Sequence, residues 1–273
     1  MNNITNSVAS QTPTNTTPRS VHAHANGRPS LLRIYALQTR NEILNLARTP
    51  MFVAPTLLFP LAFYLMFGVV LNRGNAQAGL YLLATYGVFG MMGASMFGFG
   101  VTLATERSTG LLRLRRALPM PPAAWLVDKL CAALLFSLVI SLSLLALATG
   151  VAGVTITPMQ ALGLVAVNLL GTLPFCALGL YIGSLSGANG AVAIINLLFL
   201  PMAFLSGLWM PLSMLPDWLA SLAPIWPAWH LAQLALKVVG MDAGHPVWLH
   251  LGVLLVVATL LGLLARNRLA RAD

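Results

Sequence analysis

The chain has 273 residues, of which 58% are hydrophobic and only 8% are charged, and its formal net charge at pH 7 is +9. A mean hydropathy of +0.82 excludes an ordinary water-soluble domain, in which about 25% of residues are charged. A nucleic-acid site needs a basic stripe on one accessible face, whereas the basic residues here border apolar runs. We therefore expect a membrane protein whose partners are lipid headgroups and a cytoplasmic protein, with no nucleic acid.

The first 30 residues contain no candidate for a folded segment. They are rich in Asn, Thr, Ser, Pro and Ala, and the first acidic residue of the chain is Glu42. They lack the apolar core of a signal peptide, and an organellar transit peptide is an alternative that their two arginines disfavour. Because this composition buries too little apolar surface to offset its ordering entropy, we predict a disordered cytoplasmic tail over residues 1–30.

Residues 31–48 are predicted to form a helix that lies along the inner membrane surface. Most of its apolar residues share one broad arc of a helical wheel, which Glu42 interrupts. An interfacial helix inserts its apolar side into the acyl boundary while arginine side chains reach the headgroups. The alternative is an extension of the first membrane span, which Pro50 disfavours because the residue before a proline avoids helical geometry. The arginines assigned to headgroup contact are Arg33, Arg40 and Arg48.

Six apolar runs of about 20 residues follow, and each is long enough to cross a bilayer core of roughly 30 Å as a helix. Continuous runs of this length exclude an outer-membrane barrel, whose strands alternate apolar and polar residues over about ten positions. We therefore predict an all-α polytopic fold in which residues 31–273 form one transmembrane domain. The predicted spans are 51–71, 80–104, 130–150, 160–184, 189–208 and 247–265.

The uneven distribution of basic residues predicts the orientation of the chain. Thirteen of the fifteen Lys and Arg residues precede span one, lie between spans two and three, or follow span six. Since basic segments stay on the cytoplasmic side during insertion, we expect both termini and residues 105–128 inside, and residues 209–246 outside, in a bacterial inner membrane. Five tryptophans would then form an aromatic belt on the outer side: Trp209, Trp218, Trp226, Trp229 and Trp248.

Small residues recur every four positions along two of the spans. The first stripe comprises Gly90, Ala94, Gly98 and Thr102, and the second comprises Gly179, Gly183 and Gly187. Small residues allow helix backbones to approach closely, and in lipid that packing drives helix association. We expect these stripes to pack helices within one chain, with a contact between two copies as the alternative.

Several kinds of chemistry are missing from the sequence. No Asp, Glu, Lys or Arg lies in the middle of a predicted span, which disfavours a proton-coupled transporter or a voltage sensor. The chain has no phosphate loop, no His-Glu-x-x-His motif and no Gly-x-Ser-x-Gly motif, so we expect no metal, no cofactor and no enzymatic activity in it. The alternative is a hydrolytic set of Ser213, Asp217 and His230, whose geometry the sequence does not provide.

The segment between spans two and three is the candidate for receiving energy from outside the membrane. Helical spacing places Arg107 with three leucines on one side of a short helix, and Glu106, Gly110 and Arg113 on another side. Pro119 follows the end of this helix. A carboxylate that accepts hydrogen bonds and a glycine that permits close backbone approach both suit docking to a partner outside the hydrocarbon. The alternative is a basic loop without a partner.

The order of these features resembles the second-class exporter permeases of ATP-binding cassette (ABC) transporters. Glu106-Arg107-x-x-Gly110-x-Leu112, followed by Pro119 and a return helix, is similar to the coupling segment of that family. The helix before span one is similar to its connecting helix. The connection between spans five and six is similar to its short outer helices, at Gly207, Pro211, Pro216, Asp217 and Trp218. The resemblance covers about residues 31–265.

This resemblance implies a membrane-spanning subunit of an exporter that uses a separate ATPase. The residues that it assigns to ATPase coupling are Glu106, Arg107, Gly110, Arg113 and Pro119. ATP and Mg²⁺ would bind the partner subunit, and two such permeases, identical or sister chains, would pair. The sparse charge within the spans favours an amphipathic or lipid-like substrate, such as a drug, an antibiotic or a lipid-linked glycan. The alternatives are a secondary transporter or channel without an ATPase, an intramembrane enzyme and a scaffold.

Overall fold

The computed structural model describes residues 31–72, 74–111 and 124–271, and within these ranges the secondary structure is helical, without strands. The predicted tail at residues 1–30 lies outside them. Nine α-helices follow in order within the described ranges: α1 (Leu31–Ala47), α2 (Pro50–Phe63), α3 (Ala76–Ser108), α4 (Ala124–Gly150), α5 (Pro158–Leu185), α6 (Ala188–Leu205), α7 (Asp217–Ala220), α8 (Pro227–Val238) and α9 (Val247–Arg271). A π-helix at Tyr64–Val70 continues α2.

Six of these helices are long and apolar enough to cross a membrane, which confirms the predicted all-α polytopic fold. They are α2 with its π-helical continuation, α3, α4, α5, α6 and α9. Helix α3 has 33 residues, a length of about 50 Å at roughly 1.5 Å per residue. It therefore extends beyond the predicted 80–104, because hydropathy detects only the part of a helix that lies in hydrocarbon.

Helix α3 forms the centre of the bundle. In its most apolar stretch 83% of the residues are buried, whereas the corresponding value for α9 is 11%. Helices α2, α4, α5, α6 and α8 all pack against α3. Since α3 is surrounded by protein, residues near its two ends contact other segments of the chain: the segment after α6 at its beginning and α4 at its end.

The closest helix packing joins α3 to α5 through glycines. A Cβ atom added to Gly179 would lie 2.7 Å from the backbone oxygen of Met96, and one added to Gly100 would lie 2.8 Å from the oxygen of Gly179. The neighbouring Gly183 has the same kind of contact with the backbone of Gly100. Gly179 and Gly183 of the predicted stripe therefore pack within the chain through close backbone approach, whereas Gly187 follows the end of α5 and an added Cβ there meets no described atom within 4 Å.

The connection between α6 and α9 lies at the end of the bundle where α3 begins. Tyr81 donates a hydrogen bond to the oxygen of Gly207 (2.7 Å), and Tyr86 donates one to the oxygen of Trp209 (3.3 Å). Gly207 has a φ of +74°, which favours glycine. Pro211 and Pro216 directly precede the short helices at Leu212–Met214 and Asp217–Ala220. The short helices thus occur between spans five and six, where they were predicted.

The hydrolytic set that the sequence left as an alternative is not formed. Both ring nitrogens of His230 are engaged, Nδ1 with Nδ1 of His250 and Nε2 with the oxygen of Pro224, each at 3.0 Å. Asp217 and Ser213 are exposed on the surface, whereas His230 is buried. The reading of these three residues as a hydrolytic site is therefore wrong, because helix packing uses the imidazole.

The five tryptophans of the predicted belt have different surroundings. Trp218 and Trp248 are 68% and 73% exposed, as an aromatic belt requires. Trp229 is buried against the rings of His230 and His250. Trp209 stacks on Phe63 of α2 with a centroid distance of 6.0 Å. Part of the expected belt therefore serves internal packing.

Candidate functional site

A buried cluster of three charged side chains joins α1, α3 and α4. The Lys129 Nζ lies 2.7 Å from Oε1 of Glu42 and 3.0 Å from Oε1 of Glu106. The side-chain exposure is 1% for Lys129, 2% for Glu42 and 9% for Glu106. We call these three residues the ion cluster, and the end of the bundle that holds them the charged end.

Local helix geometry brings each member of the cluster into place. Glu42 shares a buried face of α1 with Leu46, four residues later. Glu106 lies in the last turn of α3, beyond the most apolar part of that helix. Lys129 lies near the beginning of α4, where a long side chain can reach both carboxylates. The cluster is therefore assembled where three helices meet, and none of the three sequence segments contains it alone.

Trp125 and Asp128 complete the surroundings of Lys129. The Trp125 Nε1 donates to Oε2 of Glu106 at 2.7 Å, and its ring centroid lies 5.6 Å from the Lys129 Nζ. The backbone nitrogen of Lys129 donates to Oδ1 of the buried Asp128 at 2.7 Å. The polar atoms around the ammonium group thus bind one another, as burial of charged groups requires.

The cluster connects α1, α3 and α4 through buried charges. Taking charges out of water costs several kcal/mol per ion, and only good geometry offsets this cost. Removal of one partner from a buried pair leaves an uncompensated charge and costs about 3–5 kcal/mol. The ion cluster is therefore stable only when α1, α3 and α4 meet in one arrangement.

Sequence reasoning did not find two members of this cluster. Glu42 was treated as an interruption of an apolar arc, and Lys129 only as a determinant of orientation. A signal was present, because the chain has only six acidic residues and three of them, Glu42, Glu106 and Asp128, are predicted to border the same membrane surface. Acidic residues are costly near lipid unless they are paired, so their shared location indicated a cation between them.

Two arginines cap the end of α5 at the charged end. The Arg107 Nη1 donates to the oxygens of Gly183 (3.1 Å) and Ser184 (2.7 Å), and the Arg268 Nε donates to the oxygen of Ser184 (3.3 Å). Carbonyl groups in the last turn of a helix lack intrahelical partners and attract cations. Within the described residues, Arg107 therefore connects α3 to α5, and Arg268 connects α9 to the same end of α5.

Glu106 and Gly110 do not belong to one short helix, and the prediction that they do is wrong. Helix α3 continues to Ser108, and Thr109 follows it. Gly110 then has a φ of +75°, and its nitrogen donates to the oxygen of Arg107 at 3.2 Å. A left-handed glycine ends helices in this way. The remaining predicted coupling residues, Arg113 and Pro119, lie in 112–123, outside the described residues.

The predicted interfacial arginines are exposed, but α1 is also held by protein. Arg33, Arg40 and Arg48 are all exposed. On its other side α1 packs against α4 through the ion cluster and Leu46. Arg40 and Tyr35 line an apolar groove between α1 and α4. Helix α1 thus has one surface free for lipid and another fixed to the third span.

Among the described residues, no group of three or more His, Cys, Asp or Glu side chains is arranged to hold a metal ion. The charged end is instead a set of ion pairs and hydrogen bonds between helices. It fastens both ends of the connection between α3 and α4 to the helix bundle through Glu106 and Lys129. A displacement of that connection would act directly on the spans.

Comparison with known proteins identifies the family of the chain. The family model described as "ABC-2 family transporter protein" matches residues 71–266 of the chain. The chain belongs to this family. It is an ABC-2 type permease, the membrane permease subunit of an ABC transporter.

A curated relative of this permease comes from Bacillus subtilis (strain 168) and is named "Putative transport permease YvfS". The two sequences are 28% identical over 240 residues, which cover 86% of this permease and 96% of the relative. The family match includes Glu106 and Lys129 but begins after α1 and α2. The family assignment therefore rests on the part of the chain from α3 to α9, and the position of Glu42 comes from the structure.

Proposed function

We propose that this permease is the membrane subunit of an ATP-driven exporter that works with a separate ATP-binding subunit. The observation that carries the proposal is the anchoring of the α3–α4 connection. Glu106 at its beginning and Lys129 after its end bind each other at 3.0 Å in a buried contact. A partner that pushes on residues 109–123 would therefore move α3 and α4 together.

The charged end is proposed to face the cytoplasm of a bacterial cell, with both termini on that side. Arginines concentrate there: Arg33, Arg40, Arg48, Arg107, Arg266, Arg268 and Arg271. Basic segments next to short spans are retained on the cytoplasmic side, and an ATP-binding subunit needs cytoplasmic ATP. The proposed orientation of the permease and the cytoplasmic location of ATP both favour binding of the ATP-binding subunit at the charged end.

ATP and Mg²⁺ are proposed to bind the partner subunit, since this permease has no phosphate-loop motif. Two permeases, identical or sister chains, would form the path. Residues 109–123 would dock on the ATPase, with Gly110 at the turn that leaves α3. Glu106 and Arg107, which bind other helices of this chain, would then transmit force rather than contact the partner directly.

The substrate class proposed is amphipathic or lipid-like, such as a drug, an antibiotic or a lipid-linked glycan. Half-buried aromatic rings of α2 and of the segment after α6 meet at Phe63, Phe67 and Trp209, with Phe63 stacked on both others. In the described spans, acidic and basic side chains lie near the helix ends. Such a surface suits apolar groups better than a small hydrated ion.

The test uses purified permease, alone and as a complex with a co-expressed ATP-binding subunit, in liposomes. ATP added outside energises only complexes whose charged end faces outward. An NBD-labelled phospholipid serves as the probe, and export should carry it into the lumenal leaflet, where dithionite does not reduce it. We expect ATP-dependent protection with the complex and none with either subunit alone. ATP hydrolysis by the permease alone, or movement of the lipid probe that does not depend on ATP, would contradict the proposal.

A further inference from the structure

We propose that the Glu42–Lys129 ion pair makes α1 a moving part of the energy coupling, so that a push on the α3–α4 connection reaches the first span. This inference rests on the proposed function and assigns a positioning role to Glu42. The pair is 2.7 Å long, and both side chains are at most 2% exposed. It joins a helix that precedes the first span to the beginning of the third.

Within the described residues, helix α1 has one exposed side and one side that packs against other helices. Its outer side is exposed at Arg33, Leu37 (47%) and Leu44 (37%). Its inner side packs mainly on α4 and, to a smaller extent, on α2. A buried ion pair resists sliding, because separation of the charges would leave both without compensation in a low-dielectric site. Helix α1 therefore has to follow α4 when α4 moves.

The junction between α1 and α2 would pass this movement to the first span. Only Arg48 and Thr49 separate the two helices. Hydrogen bonds bridge the junction: the nitrogen of Thr49 donates to the oxygen of Leu46, and the nitrogens of Phe52 and Val53 both donate to the oxygen of Thr49. Since these bonds leave little freedom at the junction, α1 can act as a lever on the beginning of α2.

Helix α2 contains features that allow it to bend. Pro55 and Pro60 lie inside it, and each proline removes a backbone hydrogen bond of the helix. The π-helix at Tyr64–Val70 follows directly. Prolines and π-helical turns are the usual sites of helix kinks. A displacement at Thr49 would therefore change the angle of the first span without unfolding it.

The shared lysine makes the inference testable. Replacement of Glu42 by Ala removes the ion pair between α1 and α4, but Lys129 keeps Glu106 as a partner at 3.0 Å. The α3–α4 connection thus retains its anchor, and the variant separates movement of α1 from movement of α4. Glu42→Asp keeps the carboxylate and serves as the conservative variant. Asp242→Ala removes a part-exposed ion pair with Lys237 (2.8 Å) at the other end of the bundle and is the matched control.

The experiment places an environment-sensitive fluorophore on a single cysteine in the complete complex with its ATP-binding subunit. The native Cys131 and Cys176 are first replaced by alanine. Reporter positions are Arg33 and Leu37 on α1 and Leu126 on α4, all of which are exposed. Emission is compared before and after trapping with ATP, Mg²⁺ and orthovanadate. We expect both helices to respond in the otherwise unchanged complex and in the Asp242→Ala control.

In Glu42→Ala the α1 responses should be lost while the Leu126 response persists, and Glu42→Asp should restore part of the α1 response. A full α1 response in Glu42→Ala would overturn the inference, as would α1 reporters that never respond while Leu126 does. Failure of the proposed function looks different, because Leu126 itself would then give no nucleotide-dependent change in the unmodified complex.

Discussion

His230 of α8 and His250 of α9 face each other with their Nδ1 atoms 3.0 Å apart in a buried contact. The Nε2 of His230 lies 3.0 Å from the oxygen of Pro224, and this carbonyl can only accept a hydrogen bond. The His230 Nε2 therefore carries the proton, and its Nδ1 accepts from the Nδ1–H of His250, a tautomer assignment that follows from the network. This contact requires His230 to be neutral.

The first prediction is that acidification destabilises the contact between α8 and α9. Burial lowers the pKa of His230 from its usual value near 6.5, and the nearby His245 contributes in the same direction. A histidine with a depressed folded-state pKa binds its proton more readily when unfolded, so stability falls as the pH decreases below about 6.5. The contribution of His230 to this loss should be at most about 1.4 kcal/mol per pH unit, because that side chain binds one proton.

Thermal unfolding of the purified permease between pH 8 and pH 5 measures this effect. His230→Gln removes the titrating group and should flatten the dependence. His245, Lys237 and Asp242 lie in the same region, and Asp242 is held by Lys237 at 2.8 Å. If the His230→Gln variant loses stability with acid as steeply as the native protein, the effect arises from those groups and not from His230.

The second prediction concerns Lys129. Lys129→Ala leaves Glu42 and Glu106 buried without their shared cation and should destabilise the protein by about 3–5 kcal/mol. Glu42→Gln keeps a hydrogen-bond acceptor and leaves Glu106 in place, so its cost should be clearly smaller. The melting temperature in detergent and the amount of protein in the membrane provide the measurement. Equal melting temperatures for Lys129→Ala and the native chain would mean that the cluster adds no specificity.

The third prediction concerns charge reversal at Glu106. The sequence pattern placed this residue outside the hydrocarbon, in a segment that docks to a partner, where charge reversal is compatible with folding. In the structure Glu106 is buried against Lys129 and Trp125, so the variant brings two ammonium groups together. We now expect a marked loss of folded protein in the membrane. Glu106→Gln, which retains an acceptor for Trp125, is the control and should accumulate to a higher level.

The fourth prediction separates backbone strain from partner contact at Gly110. The glycine has a φ of +75°, and nothing lies within 4 Å of an added Cβ among the described residues. Asn adopts positive φ more readily than other non-glycine residues, so Gly110→Asn should cost little. Ala at this position carries strain of about 1–2 kcal/mol. Gly110→Trp adds bulk to the same strain. If co-purification of the ATPase fails only with Trp, a partner approaches Gly110 closely; similar failure with Ala would point to strain alone.

The fifth prediction tests the close packing of α3 and α5. Gly179→Ala places a Cβ against the backbone oxygen of Met96 and should destabilise the protein by about 1–3 kcal/mol. Gly252→Ala, in the second turn of α9 with no described atom within 4 Å of its added Cβ, should be neutral or stabilising by up to about 1 kcal/mol. Melting temperatures of the two variants provide the comparison. Equal values would show that α3 and α5 separate at little cost.

Much of the fold followed from properties that can be read one segment at a time. Continuous apolar runs predicted the six spans, because a helix in lipid has to satisfy its own backbone groups and present apolar side chains on most sides. Gly179 and Gly183 marked close packing, because small side chains are what close approach requires. Hydropathy missed the full lengths of α3 and α9, since their last turns are polar and extend beyond the apolar stretches.

The candidate site depended on contacts between distant segments. Glu42, Glu106 and Lys129 are separated by 23 residues or more, and no periodicity within one helix connects them. Each residue alone has an ordinary interpretation at a membrane boundary. Only the packing of α1, α3 and α4 brings them within 3.0 Å and buries them.

The sequence by itself therefore determined the membrane fold, its number of spans and its family resemblance, because hydrophobicity and local motifs act along the chain. The tertiary structure alone decided what Glu42, Arg107 and His230 do. Their side chains bind groups on other helices, and the free energy of a buried charge or imidazole depends on those partners. A property of two helices in contact cannot be read from either helix separately.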